Sequence, residues 1–308
     1  MYTLKEILRI PELFEKTEEL FVELYRDRKY LFVGCGSSYN LGLILSRILT
    51  KHNYRAEVIS GGQIVVRGNV PFLDKAILLS RTGESSETVF AASELKKSGF
   101  ETLGISCVPS SQLLKVCDES IALDYANEES IVMTGSFSAI LYLFLKEIGG
   151  NITPEDAETV LNRSVKVIDG IDLAKYNHFV FLGFEELYGV AKEGALKVQE
   201  MAQQPTEFHE PLEYRHGPIS NLSSRTIVVF QSMGTKQEKD LAKELKMMGA
   251  YVLEIGPGGD IDLENQKGFE APLRVIPLFY LGYKKAITEG LNPDKPRNLS
   301  KSVKTNLD

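Results

Sequence analysis

Positive charge is in short supply in this sequence. Its 35 Lys and Arg face 42 Asp and Glu, for a net charge of −7. Nucleic-acid binders carry a basic footprint, so no nucleic-acid partner is expected. Long apolar runs are missing too: no stretch approaches the ~20 residues of a membrane span, and no membrane partner is expected. The N-terminus, MYTLKEILRIPELFEKTEEL, is amphipathic and acidic, without the basic start and apolar core of a signal peptide. Cysteine is sparse. Cys35, Cys107 and Cys117 are odd in number and lack metal-ligand spacing, which predicts reduced thiols in a cytoplasmic protein. His209 and His216 lie seven residues apart with no HExxH pattern, so no metal site is expected. Nucleotide fingerprints are also incomplete. Tyr39 stands where the third glycine of a dinucleotide loop would fall, and Gly83-Glu84-Ser85 puts an acid where a triphosphate loop needs lysine. No cofactor is expected.

What remains is a soluble globular composition, 43% hydrophobic and 25% charged, in 308 residues, enough for two ordinary domains. Residues 3–26 read as one or two helices interrupted at Pro11. KYLFVGCGSSYNLGLILSRIL then runs strand, Gly/Ser turn, helix. AEVISGG (56–62) reads as a strand, and AILLSRTGESSETVFAASELKKSG (76–99) repeats strand, polar turn, helix. ETLGISC (101–107) and IALDYA (121–126) read as strands, and 128–149 becomes a long apolar helix. After a break near Gly149-Gly150-Asn151, residues 151–169 read as a connecting helix. The strand–turn–helix pattern then restarts at 178–201 and 225–249, followed by a strand at 250–256. Residues 272–290 run from strand or loop into helix. Element order and turn position suggest two copies of one α/β unit with buried parallel sheets.

CGSSYN (35–40) and SRTGESSET (80–88) each follow a strand and open a helix. Their hydroxyls, Ser37, Ser38, Ser80, Thr82, Ser85 and Thr88, fit helix N-caps equally well as a single loop. Two such loops in one sheet favour a phosphate cradle at paired helix N-termini. Farther on, Glu193, Lys197 and Glu200 share one helical face. They make either a solvated stripe of i,i+4 pairs or an acid/base array lining a pocket. The following segment, with Glu207, His209, Glu210, Glu213, Arg215 and His216 before Gly217-Pro218, favours the array.

The ordered set CGSS, SRTGESSET, EGALKVQE, EYRHGP and NPDKPRNLSKSV resembles the SIS (sugar isomerase) superfamily from about residue 28 to residue 303. It is most similar to the isomerase half of glucosamine-6-phosphate synthase and to stand-alone glucosamine-6-phosphate deaminases built on that fold. The resemblance implies two similar α/β subdomains, flavodoxin-like and doubly wound, each with a parallel five-stranded sheet flanked by helices. Their boundaries fall at 1–152 and 153–308, the second carrying a C-terminal tail over the active site. It also implies a homodimer with shared active sites and a sugar phosphate as small-molecule partner.

Residue by residue, the resemblance puts Ser37, Ser38, Ser80, Thr82 and Ser85 on the phosphate, with Arg81 where the synthase usually has Gln. Cys35 and Gly36 would border the sugar, and Ile131 and Val132 replace a Val-Ala pair near it. Glu200 matches the base that moves a proton between sugar C1 and C2, with Lys197 and Glu193 as helical neighbours in the site. His216 matches the ring-opening histidine, which comes from the partner subunit in the synthase. Lys301 matches a C-terminal lysine that can form a Schiff base with the open-chain ketose. The synthase starts with a glutaminase domain, whereas this sequence reaches its first matching strand by residue 30, so no glutaminase activity is expected. The implied reaction is glucosamine 6-phosphate to fructose 6-phosphate plus ammonia. The alternatives are a fructosamine-6-phosphate deglycase or other phosphosugar isomerase, and a non-catalytic sugar-phosphate-binding regulator.

Overall fold

The computed structural model describes residues 1–68, 70 and 74–307. Two short helices, α1 (Tyr2–Leu8) and α2 (Ile10–Thr17), meet at Arg9. Pro11 lies in the first turn of α2, where its missing N–H breaks no helical bond. The first α/β unit follows as β1 (Lys29–Gly34), α3 (Ser37–Lys51), β2 (Arg55–Ser60), α4 (Gly61–Arg67), β3 (Lys75–Leu79), α5 (Ser86–Lys97), β4 (Glu101–Ser106), α6 (Gln112–Val116), β5 (Glu119–Ala122) and α7 (Gly135–Glu147). The second begins with α8 (Pro154–Asp169), whose start is fixed by a Thr153–Asp156 capping box. It continues as β6 (His178–Gly183), α9 (Glu186–Ala202), β7 (Thr206–His209), β8 (Thr226–Gln231), α10 (Lys236–Met247), β9 (Tyr251–Ile255), α11 (Ala271–Arg274) and α12 (Ile276–Thr288).

The first sheet has the order β2-β1-β3-β4-β5 and the second β7-β6-β8-β9, with every pairing parallel. Both orders reverse direction between the first and third strands of the unit. The crevice at such a switch point opens at the carboxyl ends of the strands, where loops can hold a ligand. β1, β3, β6 and β8 are buried along almost their whole length, as strands covered on both faces must be.

The second sheet is one strand short of the expected five. After β4 the chain makes α6 before it returns as β5. After β9 it turns at once through Gly256-Pro257-Gly258-Gly259, and Ile261 makes only an isolated bridge to Ile255. A return that tight leaves no length for a fifth parallel strand. Residues 272–290 contain no strand: Pro272 and Pro277 each sit in the first turn of a helix.

The two units share one continuous hydrophobic core, to which α3, α7, α9 and α12 all contribute. α3 and α9 touch directly at Gly189, where an added Cβ would stand 2.7 Å from Ile44 Cγ1. Only glycine permits that approach, and it brings the charged end of α9 over the carboxyl ends of β1 and β3. The turns that open the two helices also match. Gly36 has φ 55°, ψ −126°, and Glu185 has φ 51°, ψ −119°. This shared, left-handed geometry makes the repetition a matter of backbone and not only of element order.

Candidate functional site

The switch-point crevice of the first sheet holds a cavity of about 170 Å³. Its floor is Cys35, Gly36, Ser37 and Ser38 from the β1–α3 turn, together with Ser80, Arg81, Thr82 and Ser85 from the β3–α5 loop. The local fold sets the direction of two hydroxyls. Ser80 Oγ accepts from the Gly83 N–H at 3.1 Å, and Thr82 Oγ1 accepts from the Glu84 N–H at 3.3 Å. With their oxygens engaged, both retain an O–H to donate. The N-termini of α3 and α5 add oriented N–H groups and a positive dipole end. This arrangement can hold a phosphate without lysine. Thr88 Oγ1 instead turns to Cys35 Sγ, at 3.7 Å. Burial pushes the Cys35 thiol above the ordinary thiol range, so the residue is a wall and not a thiolate.

Arg81 lines the cavity beside the hydroxyls and is also tied to the neighbouring 128–132 loop. Its guanidinium is buried and donates to the Ser130, Ile131 and Val132 carbonyls at 3.2, 2.8 and 3.0 Å, and to Glu128 at 3.4 Å. These contacts, all made through the two Nη groups, hold the 128–132 loop in place and so shape the wall of the cavity that Arg81 also lines. Glu6 of α1 secures the same loop by accepting from the Glu129 and Ser130 N–H groups at 2.6 and 3.1 Å. The loop turns Ile131 and Met133 toward the cavity. Val132, expected beside the sugar, is buried in the core and offers only its carbonyl to Arg81. The loop bends through 129–132 around the Arg81 guanidinium, which donates to three consecutive carbonyls.

Glu200, on the last turns of α9, closes another side of the cavity. Its carboxylate is ion-paired with Lys197, which is fully buried. The Lys197 ammonium also donates to Ser37 Oγ at 2.9 Å and lies 3.4 Å from Glu193. Asn40 of α3 in turn donates to Glu193 at 2.8 Å. A buried polar chain therefore runs Asn40–Glu193–Lys197–Glu200 and joins the two units beneath the site. Burial raises the Glu193 pKa against the opposing charge of Lys197. Burial also works against the Lys197 ammonium, but the two carboxylates outweigh it and hold its pKa above the ordinary lysine value. Glu193 and Lys197 do not line the cavity; they underlie it, and only Glu200 presents a carboxylate from this face.

Residues 299–303 of the tail cross the open side. The Val303 carbonyl accepts from the Ser86 N–H at 3.1 Å, satisfying an amide that α5 leaves unpaired. Lys301 borders the cavity, with Nζ donating to the Glu128 carbonyl at 2.9 Å. His216 is exposed and does not line the cavity of its own chain. His209 is engaged elsewhere: Glu207 accepts from both His178 and His209, at 2.8 and 2.9 Å. This pairing belongs to β7, a strand the sequence reading missed inside the 193–218 stretch. Glu87, Met133 and residues 299, 300, 302 and 303 were also missed as lining residues. Glu87 was legible in principle, one turn inside α5 beside the hydroxyl loop. Among the described residues, no group of three or more His, Cys, Asp or Glu is arranged for a metal ion, and no helix is long and apolar enough to cross a membrane.

Comparison with known proteins bears on the fold and the family. The family model for the SIS domain matches residues 23–145 and 172–256. A crystal structure described as glucosamine-6-phosphate deaminase from Thermotoga maritima superposes with a TM-score of 0.89 at 41% identity, covering 98% of this chain and 99% of that one. The C-terminal domain of glucosamine-fructose-6-phosphate aminotransferase from Francisella tularensis gives a TM-score of 0.81 at 22% identity, covering 96% and 98%. In sequence, glutamine–fructose-6-phosphate aminotransferase (isomerizing) of Pyrobaculum aerophilum is 29% identical over 98% of this chain. This chain spans only 57% of that relative's length. By the matched residues and the shared architecture, the chain belongs to the SIS domain family.

Proposed function

We propose that the protein is an isomerising deaminase that converts glucosamine 6-phosphate and water to fructose 6-phosphate and ammonia. The observation that carries this reading is Glu200, a carboxylate on the wall of a hydroxyl-lined cavity and anchored by a buried lysine. The Thermotoga maritima deaminase, similar over nearly the whole chain, supports it. In this reading Ser37, Ser38, Ser80, Thr82 and Ser85 hold the phosphate. That anchor sets the sugar's C1–C2 end beside Glu200 and supplies the proximity contribution. Glu200 takes the C2 proton of the open-chain aldose and returns it to C1, acting as general base and then general acid. The resulting C2 imine adds water and releases ammonia.

The reading includes a homodimer. His216, exposed on its own chain, would reach the cavity of a second copy and assist ring opening. Lys301, at the cavity rim, would meet the open-chain carbonyl. A second cavity shares Cys35, Gly36 and Glu87 with the first and continues past Tyr39, Lys192 and Phe208. That extra room favours, as a second reading, a substrate with a larger amine, as in a deglycase. Ammonia release from glucosamine 6-phosphate tests the first reading. Glu200→Gln should abolish release while keeping fructose 6-phosphate affinity, and release at the wild-type rate by that variant would refute it.

A further inference from the structure

Glu87 lies in the first turn of α5 and lines both cavities. The smaller cavity is bordered by two carboxylates, Glu87 and Glu200. Glu200 already has its cation in Lys197. Glu87 has no ion pair or hydrogen bond within the described residues, and its Oε2 is shielded from solvent without a donor. A shielded carboxylate oxygen with no donor is unfavourable, and a cationic N–H group is the partner that relieves it best. None of the described cations around the two cavities pairs with it: the Arg81 Nη groups bind the wall loop, Lys197 binds Glu200, Lys301 binds the Glu128 carbonyl, and Lys192 lies over the Tyr39 ring, 4.5 Å from its centroid.

Resting on the amino-sugar reading above, we propose that Glu87 is the residue that receives the substrate's protonated amine, and so selects amino sugars over their hydroxyl counterparts. The cavity is small, about 170 Å³, so the phosphate hydroxyls, Glu200 and Glu87 all border one sugar-sized volume. With the phosphate on the hydroxyl loops and C1–C2 at Glu200, the proposal seats the C2 substituent against the remaining carboxylate of the same small cavity. An ammonium brings charge and several N–H donors to Glu87; a hydroxyl brings one donor and no charge. The alternative role for an acid in this place is to stabilise the α5 dipole, which would be indifferent to the sugar bound.

The test uses two unreactive open-chain probes that differ only at C2, 2-amino-2-deoxyglucitol 6-phosphate and glucitol 6-phosphate, titrated calorimetrically into the full chain. Glu87→Gln should weaken the amine probe by about tenfold and the hydroxyl probe by less than about twofold, as expected for one charge-assisted contact. Glu87→Ala should show the same selective loss. The wild-type preference for the amine should fade as pH rises past the amine's pKa, and the Glu87→Gln preference should stay flat. Equal weakening of both probes, or a wild-type preference that survives Glu87→Gln, overturns the assignment. If the wild type prefers the amine probe through Glu87 but releases no ammonia from glucosamine 6-phosphate, the deaminase reading fails and the amine assignment stands. Failure to bind either probe overturns both.

Discussion

Lys197→Met should unbalance the base of the site. Lys197 is fully buried between Glu193 and Glu200, 3.4 Å from the first and ion-paired with the second. With the lysine present the trio carries one net negative charge; without it, two. Removing one partner of a buried pair costs about 3–5 kcal/mol, because the remaining charge keeps its desolvation penalty. With a urea dependence of about 1–3 kcal/mol per molar, the unfolding midpoint should fall by more than about 1 M. The pH dependence follows from Glu193, whose pKa burial raises in the folded chain. An acid with a raised folded pKa binds its proton more tightly when folded, so its contribution is fully present below the unfolded value and is lost as pH rises through the folded value. Removing Lys197 raises Glu193 further and extends that window upward. The variant's deficit should therefore be greatest near neutral pH and shrink on acidification. Glu193→Gln combined with Lys197→Met should recover most of the loss, since the amide can still accept from Asn40. A deficit independent of pH, or a double variant as unstable as the sum of the singles, would refute this account.

Other predictions concern the wall, the contact between units and the floor. Arg81→Met leaves the 130–132 carbonyls and Glu128 without their buried donor and should cost about 2–4 kcal/mol in urea unfolding. Sugar-phosphate affinity should fall with it. Gly189→Val forces side-chain atoms into space held by Ile44. It should cost about 1–3 kcal/mol through overpacking, and turnover should fall more than fructose 6-phosphate affinity. Cys35, its thiol held high by burial, should react with iodoacetamide at pH 7 more slowly than a free thiol, and more slowly still with fructose 6-phosphate in the cavity.

The strand–turn–helix units were legible because local pattern decides them. A buried parallel strand is an apolar run, and the glycines and serines that end it must pack closely or cap a helix. The polar loops were therefore placed correctly at the ends of β1 and β3. Features set by tertiary contact were not legible. TEFH at 206–209 is a strand because β6 offers it an edge, not because its composition is strand-like. Arg81 reads as an anion ligand, and only the folded 128–132 loop reveals that its Nη groups brace the cavity wall. Met133 and not Val132 faces the cavity because the loop bends through 129–132 around Arg81, a path set by tertiary contact. Glu193 and Lys197 share a helical face with Glu200, but only the packing of α3 decides which of the three reaches the cavity.

The twin turns at Gly36 and Glu185 suggest a division of labour between ancestral copies. The first still opens onto serines. In the second, Glu185 and Glu186 stand at the matching place, and Lys51 of the first copy pairs with both, at 2.6 and 2.7 Å. The protein's own charges thus stand at that helix start, and the proposed base, Glu200, comes from the far end of the same helix. On the proposed function, recognition and reactivity reside on separate units. On that function, changing the second unit alone would alter the chemical step and leave the hold on phosphate intact.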